Sequence, residues 1–363
     1  MLDKRIGQQL GNYRLTRLLG VGGFARVYMA EHMQLRTAVA IKVLDTTVTD
    51  EAEMEFFLNE AKKLASLQHP HIVKILDCAV QGNIPYLVMQ YAPNGTLAQK
   101  HQDKLPLPLP TIAIYVKQVA SALQYVHEQG LVHCDVKPAN LLLGQNNEVI
   151  LGDFGIITAT RTTAAPTLEH IRGTVPYMAP EHSAGRPVRA SDQYSLGIIV
   201  YEWLSGLSPF QGTPGAIYQQ HRSVAPPSLR RKDTGTRVPL SIERVVMKAL
   251  EKHPKNRYPH IQDFANALES AIRATQGLPQ STNPLPLYDQ TPRNAALFVP
   301  SPGYKGAPDD LTQRDSPPPL PIPPTPPKLP VHPLVQRQFE ILQRFQALQS
   351  EHEWEKGELW QQH

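Results

Sequence analysis

The stretch HCDVKPAN, His133 to Asn140, places a carboxylate, an ammonium and an amide close together as Asp135, Lys137 and Asn140, with Pro138 fixing the backbone between them. Such a carboxylate can accept the proton of an acceptor hydroxyl, the ammonium can stabilise a transferring phosphoryl group, and the amide oxygen can bind a metal. Downstream, EVILGDFG reads as a strand ending at Asp153 and Phe154, with Gly155 allowing a bend. It supplies a second carboxylate for Mg²⁺. Either acid alone is equally a turn residue, but their joint order and spacing point to phosphoryl transfer.

Two upstream stretches fit the same chemistry. LGVGGFARVY, Leu19 to Tyr28, lies between two predicted strands, and Gly20, Gly22 and Gly23 would let backbone N–H groups approach a polyphosphate. Taken alone, a glycine-rich hairpin is equally a plain turn. AVAIKVL is an apolar strand interrupted by Lys42, which must either point to solvent or meet an anion. In FFLNEAKKLASLQHPHIV, helical spacing puts Glu60 on a face with Phe56, Phe57 and Leu64. A carboxylate on a core-facing side needs a cation, and Lys42 is the natural one.

The elements that must hold these residues are legible in outline. Strands are predicted over Tyr13–Leu19, Ala25–Glu31, Ala38–Leu44, Val73–Val80 and Ile84–Gln90, with a helix from about Glu51 to Leu67. Residues 97 to 275 read as mostly helical. TIAIYVKQVASALQYVHEQG has Thr111 as a predicted N-cap, an apolar face of Ile112, Tyr115, Val119, Leu123 and Val126, and Gly130 as a stop. The fold class expected is α+β, with a sheet-rich lobe over about 11–89, a helical lobe over about 93–275, and a cleft between them.

About half of the 35 prolines lie between Pro279 and Pro333, so residues 276–333 read as an extended, disordered linker. Val335, Phe339, Leu342, Phe345 and Leu348 then recur at spacings of three and four, predicting an amphipathic helix within 334–363 that self-associates or docks on a partner. The net charge of +4 on 363 residues, without a dense Lys/Arg run, argues against a nucleic-acid surface. Two cysteines, Cys78 and Cys134, suit a reducing cytoplasm better than a disulfide framework. No signal peptide or membrane-spanning run is evident, so a cytoplasmic protein is expected.

Residues 13 to 272 resemble a protein kinase catalytic domain, in particular the eukaryotic-type serine/threonine kinases of bacteria. The glycine-rich loop, VAIK, the helical Glu, HxDxKxxN, DFG and APE (Ala179, Pro180, Glu181) occur in the family's order. The resemblance implies a bilobal kinase fold, ATP with Mg²⁺ (or Mn²⁺) as cofactors, and Ser/Thr hydroxyls of proteins as acceptors, autophosphorylation included. It implies that Lys42 binds phosphates and pairs with Glu60, that Asp153 and Asn140 hold metal, and that Asp135 and Lys137 act at the reacting centre. Thr174 would hydrogen-bond Asp135 and Lys137. The nucleotide contacts implied are Leu19, Gly20, Val21, Gly22, Gly23, Phe24, Val27, Ala40 and Leu142, with Met89 as gatekeeper and backbone groups of Gln90 and Ala92 at the adenine. Leu64, Ile75, His133 and Phe154 would form the apolar stack that joins the lobes. GTVPYMAPEH would be the substrate-docking segment, supported by a Glu181–Arg257 pair and by Asp192 under the catalytic loop. Three rivals stay open: a nucleotide-binding pseudokinase, a small-molecule kinase of similar fold, and a scaffold acting through the tail.

Cys134 departs from the family's pattern. Many relatives carry Arg there, whose guanidinium clamps a phosphorylated activation-loop residue. Phosphorylation is expected at Thr162, Thr163 or Thr167, with less effect than in arginine-bearing relatives. A redox role is disfavoured, because the neighbouring carboxylate opposes thiolate formation.

Overall fold

In the computed structural model the described residues are 3–22, 25–45, 51–154, 174–230, 238–275 and 277. Gly23, Phe24, Gly155, Thr162, Thr163, Thr167, nearly all of the linker and the predicted C-terminal helix lie outside them.

The first lobe is built on a six-stranded sheet, order β1-β2-β3-β4-β6-β5, with all neighbours antiparallel. Its strands are β1 (Gln9–Leu10), β2 (Tyr13–Val21), β3 (Ala25–His32), β4 (Ala38–Leu44), β5 (Ile75–Gln81) and β6 (Ile84–Gln90). Successive side chains in a strand face opposite sides. One side packs Leu15, Tyr28, Ile41, Val43, Tyr86 and Val88 together. The other packs Ala25, Leu44 and Leu87 against Phe57 and Ala61 of helix α1 (Glu51–Ala65). Phe57 is fully buried, and truncating such a phenyl costs ~3–5 kcal/mol. Phe56, expected on the same face, is instead exposed, because the buried stripe of α1 is centred on Phe57 and Ala61.

Two boundaries differ from the sequence reading for identifiable reasons. β5 starts at Ile75, since the Val73 N–H is taken by the Leu151 carbonyl at 2.9 Å, which ties that residue to the second lobe. Helix α3 (Leu109–Glu128) follows the short α2 (Leu97–Lys100) and starts two residues before Thr111, without a side-chain cap. Pro110 is accommodated in its first turn, where a missing N–H costs no intrahelical bond. The expected apolar face of α3 is buried throughout.

The second lobe continues with the hairpin β7 (Leu141–Leu143) and β8 (Val149–Leu151), then α4 (Pro180–Ser183), α5 (Arg189–Ser205), α6 (Pro214–Ser223), α7 (Leu240–Ala249) and α8 (Ile261–Thr275). Nearly every residue of α5 is buried, making it the axis of this lobe. It stops at Gly206 with φ +75°, where an added Cβ would lie 2.5 Å from the Lys104 carbonyl oxygen. Only glycine fits both constraints.

Candidate active site

The loop after α3 is organised from below by α5. Asp192, in the first turn of α5 and buried, accepts the backbone N–H groups of His133 and Cys134 at 2.9 Å each and the His127 imidazole at 2.8 Å. Burial alone would push this carboxyl up; the hydrogen bonds it accepts, from the His127 side chain and the His133 backbone, outweigh it and hold the group below the usual range. The fork also stabilises a left-handed backbone at Cys134, φ +66°, which a residue with a Cβ adopts at a cost. His133 fixes the next residue: its Nδ1 accepts the Asp135 N–H at 3.3 Å, so the hydrogen on Nε2 goes to the Gly152 carbonyl at 3.0 Å.

The Asp135 carboxylate is then surrounded. Asn140, in the 3₁₀ turn Pro138–Asn140, uses its side-chain NH₂ on the Asp135 carbonyl at 2.8 Å and on Oδ2 at 2.9 Å. The Lys137 ammonium sits 2.8 Å from Oδ2 and donates to Thr174 Oγ1 at 3.1 Å, and the Thr174 hydroxyl donates to Oδ1 at 3.1 Å. Because both amide hydrogens of Asn140 serve Asp135, its Oδ1 is the atom left for a cation. Asp153, at φ +61° after β8, is the second candidate ligand. No group of three or more His, Cys, Asp or Glu suited to a metal exists among the described residues. An amide oxygen and a carboxylate fit Mg²⁺ held jointly with substrate phosphates and water, rather than a cation caged by protein alone.

Across the cleft, β4 presents Lys42, which is 4% exposed. Strand register pairs Val27 with Lys42, Met29 with Ala40, Lys42 with Leu87 and Ala40 with Met89, so Val27, Ala40, Lys42 and Met89 share one face. Gln90 and Ala92 are half-buried at the end of β6, and Leu142 lies half-buried on β7. Leu19 is half-buried in β2, while Gly20, Val21 and Gly22 are exposed toward the hairpin tip, which the Gly22 N–H closes on the Ala25 carbonyl at 2.8 Å. The expected Lys42–Glu60 pair is replaced: the Lys42 ammonium contacts the Asp153 carboxylate, and Glu60 pairs with Lys63 at 2.6 Å. The physical reason is the helix phase, which leaves Glu60 at the edge of the buried stripe and one turn before a competing lysine. Of the predicted apolar stack, Phe154 lies 4.7 Å from the His133 ring, and Leu64 packs against the cores of both lobes, with Ile75 against the first.

Support lies below. Arg257 is buried and donates to both Glu181 oxygens, at 2.7 and 2.8 Å, and to the carbonyls of Ala190, Glu251 and Lys252. A bidentate pair with its remaining N–H groups used is the form in which a buried ion pair is tolerable. The sequence reading passed over His127 and His221. Both are buried polar groups, and for His127 the signal was present: a histidine next to Val126 on the apolar side of α3 needs a partner, which is Asp192.

Comparison with known proteins adds an independent line. The sequence model of the protein kinase domain family matches residues 13–268. Among curated proteins, serine/threonine-protein kinase PrkC of Bacillus subtilis is 34% identical over 277 residues, covering 76% of this chain and 42% of PrkC. Serine/threonine-protein kinase PknB of Mycolicibacterium smegmatis is 36% identical over 307 residues, 81% of this chain and 48% of its own length. Serine/threonine-protein kinase PknF of Mycobacterium tuberculosis is 36% identical over 282 residues, 72% of this chain and 56% of its own. The chain thus spans about half the length of these relatives. No helix among the described residues is long and apolar enough to cross a membrane.

Proposed function

This chain belongs to the protein kinase domain family, and from that premise we propose that it transfers the γ-phosphoryl group of Mg-ATP to serine and threonine hydroxyls of proteins. The observation that carries the reading is the cluster of Asp135, Lys137, Asn140 and Thr174, closed by hydrogen bonds, together with the contact of Lys42 from the first lobe with Asp153 in the second.

In this reading Mg-ATP, when bound, supplies the phosphoryl group and the charge neutralisation that a dianionic transfer needs. Asp135 orients the acceptor hydroxyl and takes its proton. Lys137, already beside Asp135, balances charge on the transferred group, and Thr174 holds the two at a fixed separation. Lys42 would bind phosphate oxygens, and Asp153 with Asn140 Oδ1 would hold the cation that neutralises them. Val27, Ala40, Leu142 and Met89 enclose the adenine, and Gln90 and Ala92 offer it backbone groups.

Cys134 belongs to the same proposal as a control feature: lacking a guanidinium, it cannot clamp a phosphorylated Thr162, Thr163 or Thr167. Acid hydrolysis of protein labelled from γ-radiolabelled ATP tests the acceptor class. Label in phosphoserine and phosphothreonine is expected, and label confined to phosphotyrosine or to small molecules overturns the reading.

A further inference from the structure

We infer that His221, on α6, is a positioning residue for the polypeptide-binding segment Thr174–Glu181, acting on affinity for the protein substrate and not for the nucleotide. The inference rests on the kinase reading above. His221 is 1% exposed, and its two ring nitrogens bridge that segment to the axis of the lobe. Nε2 lies 3.0 Å from the Pro176 carbonyl, and Nδ1 lies 3.0 Å from the Tyr194 hydroxyl on α5. A carbonyl only accepts, so Nε2 carries the hydrogen and Nδ1 accepts from the Tyr194 O–H. The Tyr194 oxygen in turn accepts from the Lys252 ammonium at 3.3 Å, which also donates to the Gln220 carbonyl at 3.3 Å.

Every link in this chain runs in one direction: Lys252 to Tyr194, Tyr194 to His221, His221 to Pro176. Burial, reinforced by the charge of Lys252, pushes the His221 imidazole down to about 3, so the ring stays neutral at any working pH. Aromatic contacts fix its plane, with Phe210 edge-on at 4.7 Å and the Lys252 ammonium 4.4 Å from the Phe210 centroid.

The carbonyl held this way has particular leverage. Pro176 has no N–H, so its carbonyl is its only backbone hydrogen-bonding group. It sits in the 3₁₀ turn Val175–Tyr177, directly after Thr174, whose hydroxyl touches Asp135. The next carbonyl, of Tyr177, accepts from Ser195 at 2.7 Å, and the Tyr218 hydroxyl on α6 reaches the Ser183 carbonyl at 3.3 Å. Two helices thus grip consecutive carbonyls of the docking segment. The groups assigned to nucleotide, Lys42, Met89, Asn140 and Asp153, take no part in this chain.

Steady-state kinetics on the full chain with mixed histones as protein substrate tests the assignment. His221→Leu removes both polar contacts and is expected to raise the KM for histone about tenfold while leaving the KM for ATP within about twofold. His221→Gln, whose amide can donate to the Pro176 carbonyl, is expected to recover most of the loss. Tyr194→Phe keeps the ring and removes only the O–H, so it serves as a gentler variant if His221→Leu does not fold, and it is expected to shift the histone KM in the same direction. Unchanged histone KM in folded variants, or ATP and histone KM rising together, overturns the positioning role while the kinase reading stands. A wild type that transfers no phosphate overturns both.

Discussion

The thiol of Cys134 is pushed up by burial, then by the charges of Asp192 and Asp135, so it remains protonated and is a poor target for oxidation. Its backbone, by contrast, is where the residue matters, because the N–H bond to Asp192 anchors the loop that presents Asp135. A cysteine leaves that bond intact, so in the proposed function its standing where many relatives carry arginine would spare the catalytic groups and remove only a phosphate clamp. Phosphatase-treated protein is therefore expected to keep its kcat within about tenfold of the untreated form, a barrier change under ~1.4 kcal/mol. A larger loss would mean that another group clamps a phosphate. At this scale the sequence was informative: Asp135, Lys137 and Asn140 were recognisable from order and spacing and Thr174 from the resemblance to kinases, and the four do meet. His221 was not recognisable, because its partners Tyr194 and Pro176 lie 27 and 45 residues away and no local pattern encodes that meeting.

At the scale of elements, strand alternation and helix spacing gave β2 through β6 and α1 to within a few residues, since each has one buried face that its apolar residues must match. What spacing could not resolve was the phase of α1 to within one position, and that decides the partner of Glu60. A side chain at the edge of a buried stripe can turn either inward to Lys42 or along the helix to Lys63, and here it takes the second. In the proposed kinase reaction the strand lysine and the helix acid would pair. Lys63 therefore competes with the productive arrangement, through a largely exposed i,i+3 pair of the kind worth ~0.2–1 kcal/mol. Lys63→Ala is expected to lower the KM for ATP, by no more than about fivefold. An unchanged or higher KM would show that Glu60 reaches Lys42 without hindrance from its neighbour. The start of α3 differs for a simpler reason: Thr111 reads as an N-cap, yet the helix begins at Leu109 because its first turn accepts Pro110.

At the largest scale, specific links among the described residues join the two lobes. Val73 and His71 bond the backbone around β8, Leu64 packs into both cores, and Lys42 reaches Asp153. Composition and element order foretold a sheet-rich part followed by a helical part, whereas these links join residues up to 111 positions apart and needed the fold to be seen. Asp135, Lys137 and Asn140 meet, and Lys42 reaches Asp153; in the proposed function these are the general base, the charge-neutralising lysine and the metal-binding pair, the set that would distinguish a phosphotransferase from a protein that only holds nucleotide. The most direct measurement compares wild type with Asp135→Asn for both nucleotide affinity and the rate of label transfer from γ-radiolabelled ATP to protein. Loss of the general base is expected to slow transfer at least about a hundredfold while the Kd for Mg-ATP stays within about threefold. Equal transfer by both proteins, or tight nucleotide binding by a wild type that transfers nothing, would contradict the account.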